Sequence, residues 1–292
     1  MSHTVSDTAW SWPEERWRSA LAKVRAGRSL KPKKWKGGAR AALAISLDLG
    51  GEVRALAGGG DAAMLSAGHY GARKGVARLL PLLRRQSIPV TVFLPAVAAM
   101  LYADEVKAIL NAGHELGMSG WIGEDNATLP PDAEQELATG ARDCIERVAG
   151  LRPVGMRTAA FTDRTLPIAR SLGLAYDSSL MADDEPYEIL AGDEPTGLVE
   201  IPVSRARNDA TCLSVAGHPA APEAVFDVFR RELEVAYEEG GLCQLTLHPD
   251  VIGQRSRIWI LEELLAIARQ LPGLWCATHS DIALWCKGRA GH

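Results

Sequence analysis

The sequence predicts an α/β domain whose strands form a parallel barrel, and three observations lead there. Short apolar runs of strand length alternate with amphipathic stretches of helix length over most of the 292 residues. Glycine and proline punctuate both kinds of segment. No internal repeat interrupts the alternation, and low complexity is confined to Gly58–Gly60.

Ala41–Leu47 (AALAISL) follows a Gly-Gly pair and reads as a buried strand. Lys74–Arg85 carries Val76, Leu79, Leu80 and Leu83 at helical spacing. Val90–Leu94 is β-branched and bounded by Pro89 and Pro95, which predicts a second strand. Asp104–Asn111 reads as a helix that stops at Gly113, ahead of a third strand. Asp132–Val148 is a long amphipathic helix with acidic first turns, favourable to the helix dipole. A short strand, Pro153–Arg157, precedes a helix over Asp163–Leu172 that Gly173 ends. Leu198–Val203 is a strand, and Pro222–Glu239 is the longest helix, terminated by Gly240-Gly241. Leu242–His248 is a strand, Arg257–Gln270 a helix, Leu274–Thr278 a last strand and Ser280–Trp285 a closing helix.

Composition narrows the function classes. Hydrophobic residues are 47% and charged residues 23%, ordinary for a globular chain with a large core. A net charge of −4 gives no basic field for nucleic acid or an anionic membrane. The basic stretch Lys31–Lys36 is local and reads as a solvated arm. The first 20 residues hold Asp7, Glu14, Glu15 and three tryptophans, not the apolar core of a signal peptide. The five cysteines have neither disulfide-frame nor zinc-knuckle spacing and read as buried thiols, so a reducing cytoplasm is expected.

In parallel α/β barrels the chemistry sits at the C-terminal ends of the strands. Those ends carry Asp48, then Trp121 and Glu124, then Arg157, then Asn208 and Asp209, and finally His248. All are expected to converge on one mouth.

Seven blocks at these ends resemble the motif set of the polysaccharide deacetylases, the NodB-type carbohydrate esterases. They are AISLDLGGE (44–52), YGARKGVARLLPLL (70–83) with PVTVFLP, GHELGMSGWIGE (113–124), RPVGMRT (152–158), LAYDSSLMADDEPYE (174–188), VEIPV (199–203) and LTLHPDVIGQRSR (245–257). The resemblance is nearest to a subgroup of peptidoglycan-deacetylase-like proteins, cyclic imidases and metal-independent allantoinases. It implies a distorted (β/α) barrel of the polysaccharide-deacetylase type over residues 38–288, after an N-terminal extension of 1–37.

The resemblance also implies roles. Family members hold a divalent metal with one Asp and two His, and the metal activates water. The matching positions here are Gly50, Ser119 and Gly123, which cannot ligate a cation, so no metal or other cofactor is expected. His114, His69 and His279 are not spaced as a replacement pair and read as structural or solvent residues. Asp48 falls at the general base, His248 at the general acid and Arg157 at the residue that orients the base. Glu52, Trp121, Glu124, Asn208 and Asp209 are the expected substrate contacts. Arg205 and Ala159-Ala160 stand where the subgroup has Trp-bearing segments, so the substrate wall is altered too.

Three readings follow. The first is a metal-independent hydrolase of a non-peptide C–N bond, in a cyclic amide or imide or an N-acyl group. The second is an inactive relative that binds a small molecule or sugar. The third, a metal-dependent deacetylase, lacks its ligands. The expected partner is a small-molecule or sugar-like substrate, with neither nucleic acid nor membrane, and the chain is expected to form a homo-oligomer.

Overall fold

The computed structural model describes residues 8–213 and 219–289. The strands are β1 Arg25–Ser29, β2 Ala41–Asp48, β3 Thr91–Leu94, β4 Glu115–Met118, β5 Gly155–Met156, β6 Tyr176–Asp177, β7 Tyr187–Ala191, β8 Glu194–Glu200, β9 Leu242–Leu247 and β10 Leu274–Ala277. They form one sheet in the order β1-β7-β8-β6-β5-β4-β3-β2-β10, with β9 also paired to β2. Strand β2 is central, lying parallel to β3, β9 and β10. A parallel bridge from Asn208 to Thr246 brings the chain that leaves β8 back to β9. The sheet therefore curls on itself as a distorted (β/α) barrel with helices packed outside.

Strand β2 is buried along its whole length, as a parallel strand covered on both faces must be. Its side chains alternate with period two. Leu43, Ile45 and Leu47 join the outer core with Leu79, Leu83, Leu261 and Leu265 from the helices. Ala42 and Ala44 face the barrel interior with Phe93, Tyr176 and Ile282. Ser46 and Asp48 continue that inward phase, so β2 delivers Asp48 to the mouth of the barrel.

Several elements differ from the sequence expectation. The segment 25–35 is built into the domain and is no free extension. Strand β1 pairs antiparallel with β7, and Trp35 is 1% exposed with its indole N–H donating to the Gly240 carbonyl at 2.9 Å. The sheet is not wholly parallel, because β7 and β8 form an antiparallel hairpin. Its two-residue turn, Gly192-Asp193, uses Gly192 at φ 65°, the left-handed geometry such turns need. Two helices, Gly51–Ala57 and Ala62–Tyr70, fall where the sequence reading left a gap. The Asp61 side chain caps the second by accepting from Met64 N at 2.9 Å. The expected Lys74–Arg85 helix begins as a π-helical turn over Gly71–Val76. None of the helices among the described residues is long and apolar enough to cross a membrane.

Two buried acids, Asp177 and Glu200, face each other at the ends of β6 and β8. Burial, then each other's charge, raises Glu200 well above the ordinary glutamate value, and burial pushes Asp177 to about 6. The pair therefore holds one proton at neutral pH. Arg157, Tyr176 and Tyr187 are titratable groups beside it. Both acids have raised folded pKa values, so their contribution is present at low pH and lost as pH rises through about 6 and beyond. The melting temperature should fall from pH 5 to pH 9. Glu200→Gln, whose amide donates to Asp177 without titrating, should recover at pH 9 about 2–4 °C per kcal/mol relieved. Calorimetric melting of wild type and Glu200→Gln across that range checks this, and a gap between the two that does not widen in favour of Glu200→Gln as pH rises contradicts it.

Candidate active site

Asp48 ends β2 with its side chain 5% exposed. Arg157, just past β5, holds one of its oxygens. Arg157 Nη1 donates to Asp48 Oδ1 and to Ser46 Oγ, both at 2.8 Å. Its Nε and Nη2 donate to the Ser178 carbonyl and hydroxyl at 2.7 and 2.9 Å. Its guanidinium lies 4.3 Å from the Phe93 ring centroid. Gln244 Nε2 adds donors to Ser46 Oγ and Thr246 Oγ1 at 3.1 and 3.0 Å. Burial alone would raise Asp48, but Arg157, Arg54 and His248 outweigh it and hold the carboxyl below the ordinary aspartate value. Asp48 is therefore ionised at neutral pH.

His248 follows β9 on a loop set by the π-helical turn. A Cβ on Gly75 would stand 2.0 Å from the Pro249 carbonyl, so only glycine lets that turn close on the residue after His248. The imidazole Nδ1 is 2.7 Å from Asp209 Oδ1. The His248 backbone N–H donates to both Asp209 oxygens at 3.0 Å. Nε2 lies 3.7 Å from the second Asp48 oxygen, too far for a direct hydrogen bond. Both atoms can therefore address a third group between or beside them. Burial works to lower the His248 pKa, but the bond and charge of Asp209, with the charge of Asp48, prevail and raise it. Asp48 therefore faces an imidazole that Asp209 and Asp48 bias toward its protonated form. Asp209→Asn should lower the His248 titration midpoint in NMR of the ring protons. An unmoved midpoint would mean that Asp209 does not set the charge of His248.

The three positions that the family resemblance aligns with metal ligands hold something else. Arg54 stands four residues after Gly50 in the helix Gly51–Ala57. Side chains four apart share a helix face and lean toward the N-terminus. Without a side chain at Gly50, Arg54 folds back into the vacant volume. A Cβ on Gly50 would fall 2.5 Å from Arg54 Nε, and one on Gly123 would fall 2.9 Å from Arg54 Cγ. Arg54 Nη1 is 3.7 Å from Asp48 Oδ2. Among the described residues, no group of three or more His, Cys, Asp or Glu is arranged to hold a metal. A cationic side chain with two glycines and a serine does not fit a divalent metal.

The other expected contacts divide differently. Asp209 is 0% exposed and serves His248, so it cannot reach a substrate. Asn208 Oδ1 accepts from Thr211 N at 3.1 Å and caps a short helix. The Glu124 carboxylate is taken up by the backbone N–H groups of Trp121 and Ile122 at 2.9 and 2.8 Å. The Trp121 ring packs toward Gly140 and the outer core. Glu52 accepts a hydrogen bond from the Tyr102 hydroxyl. These five residues shape or support the mouth, while Asp48, Arg157 and His248 come together. Arg54 is a side chain at the site that the sequence reading missed. Its signal was the spacing of four from Gly50, hidden because the helix itself was not expected. A neighbouring cavity is lined by Arg54, Ser119, Gly123, Glu124, Asn126 and Arg157, with neither Asp48 nor His248 in its lining.

Known proteins share this fold. The family model described as polysaccharide deacetylase matches residues 67–176. The peptidoglycan deacetylase of Helicobacter pylori is 24% identical over 251 residues, covering 75% of this chain and 86% of that protein. A Mycobacterium smegmatis structure assigned to the polysaccharide deacetylases is 30% identical with a TM-score of 0.81, covering 91% of this chain and 96% of that one. The structure of Puue allantoinase is 25% identical with a TM-score of 0.80, covering 91% and 95%.

Proposed function

The chain belongs to the polysaccharide deacetylase family of carbon–nitrogen hydrolases, and from that premise we propose that it hydrolyses a non-peptide C–N bond without a metal. The observation that carries this reading is the facing pair of Asp48 and His248, 3.7 Å apart, with Arg157 bonded to the first and Asp209 to the second. The resemblance to an allantoinase, which that structure's name gives as its activity, points to a cyclic amide or imide before an N-acyl sugar.

The steps balance with these residues alone. Asp48 takes a proton from water as the oxygen adds to the carbonyl carbon, whose π electrons move to oxygen. Asp209 holds the His248 ring so that Nε2 faces the reacting centre. The imidazolium gives its proton to the departing nitrogen as the C–N bond breaks. The oxyanion electrons re-form the carbonyl and give a carboxylic acid and an N–H group; the acid releases its proton to solvent to become the carboxylate, and the proton on Asp48 returns through solvent to His248. A ring imide is a stronger electrophile than an N-acetyl amide, so a carboxylate base suffices for it. Arg157 positions Asp48.

A panel of hydantoins, cyclic imides and N-acetylated oligosaccharides tests this. Ring opening with little deacetylation is expected, and turnover confined to the acetylated sugars would overturn the preference. A second reading, a binding protein on the same fold, draws on the two arginines that flank Asp48. It would show as saturable ligand binding with no turnover on the whole panel.

Chelation is the second check. Activity should remain within about twofold after exhaustive chelator treatment, because no step requires a Lewis acid.

A further inference from the structure

Resting on the hydrolase reading, we infer that Arg54 has taken the electrostatic place of the metal. Its guanidinium is the fixed cation that meets the substrate carbonyl oxygen and stabilises the oxyanion formed there. The first support is position. The side chain runs through the volume that Cβ atoms on both Gly50 and Gly123 would enter, and it borders the same cavity as Ser119. The residues that would have surrounded a metal thus surround a guanidinium.

The second support is spare capacity. Arg157 directs its donors to Ser46, Asp48 and Ser178, and its side chain is 8% exposed. Arg54 is 36% exposed at the mouth, and its Nη1 stands beyond hydrogen-bond distance of Asp48. Arg54 Nε and Ser119 Oγ are both buried with no hydrogen-bond partner among the described residues. Buried donors left unmatched in the resting protein are costly unless a ligand meets them. A planar fork of N–H groups suits an oxyanion.

The third support is charge balance along the reaction. As water adds, Asp48 loses its negative charge to a proton and the carbonyl oxygen gains one. Arg54, 3.7 Å from the Asp48 carboxylate, can transfer its attraction from one oxygen to the other with little movement.

The test compares Arg54→Met, which keeps length and loses charge, with Arg54→Lys and Arg54→Ala. A donor used chiefly in the transition state contributes about 10²–10³-fold in kcat. Arg54→Met should lose that much, with kcat and kcat/KM falling together. Arg54→Lys should retain part of the rate, and added guanidinium ion should restore part of it to Arg54→Ala. The charge of Arg54 also bears on both acid–base partners, so in Arg54→Met the Asp48 and His248 titrations should both move to higher pH. Wild-type kcat in Arg54→Met, a loss confined to KM, or a loss that guanidinium does not rescue would overturn the inference. If the intact protein opens no ring on the panel, the hydrolase reading fails by itself. The NMR titration of His248 still judges Arg54: an upward shift in Arg54→Met supports it as the cation of the site, and an unmoved one overturns it.

Discussion

Asp48→Asn and His248→Ala should each lower ring-opening turnover at least about a hundredfold, the usual size of a general acid–base contribution. Each variant removes one of the two proton transfers of the proposed reaction. Asp209 is sealed against the far side of the imidazole. The two residues act on one sequence of bond changes, so the double variant should lose little more than the worse single one. Asp48→Asn also leaves Arg157 buried without its counter-charge, which costs about 3–5 kcal/mol for a broken buried pair. Its melting temperature must be measured beside its rate. Full activity in either variant would remove that residue from the mechanism. The wild-type rate should hold across neutral pH, falling in acid below the ordinary aspartate range as Asp48 protonates. It should fall in alkali only above the ordinary histidine range, as His248 loses the proton it must donate.

The combined variant Gly50→Asp, Ser119→His and Gly123→His should fail to bind zinc while Arg54 is present. Adding Arg54→Ala should tighten zinc binding at least about a hundredfold, because ligand identity and geometry dominate metal affinity. Two magnitudes decide this order. A guanidinium some 4 Å from a divalent ion repels it by several kcal/mol at the effective dielectric near a protein surface. A non-glycine residue at position 123, whose φ is 81°, costs only about 1–2 kcal/mol. The arginine, not the backbone, is the larger obstacle. Calorimetric zinc titration of both variants checks the difference. Deacetylation of acetylated sugars should stay near background even in the four-fold variant, since Arg205 and Ala159-Ala160 leave the substrate wall changed. Tight zinc binding with Arg54 in place would show that the side chain swings aside freely and is no fixed cation.

The barrel was legible because its strands alternate with helices and its polar residues fall at strand ends. The phase of β2 could be read from AALAISLD alone, which puts Asp48 on the inner face with Ala42, Ala44 and Ser46. What sequence could not give was the partner of each polar group. Asp209 and Asn208 are adjacent, and both looked like substrate contacts. A short helix starting at Asp209 turns one toward His248 and the other into a cap. Glu124 looked like a free acid at the mouth, but Gly120 at φ 78° folds the loop so that backbone N–H groups claim it. Trp35 lay in a basic stretch, and its burial depends on a carbonyl some two hundred residues away. Arg54 escaped notice because the reading asked which ligands were missing and not what filled their space.

The most direct measurement is steady-state turnover of a hydantoin or cyclic imide by protein stripped with chelator, with metal content determined on the same sample. Ring opening at the untreated rate, with well under one metal per chain, is the predicted result. Activity that vanishes on stripping and returns with one equivalent of zinc would contradict a metal-free reaction built on Asp48, His248 and Arg54.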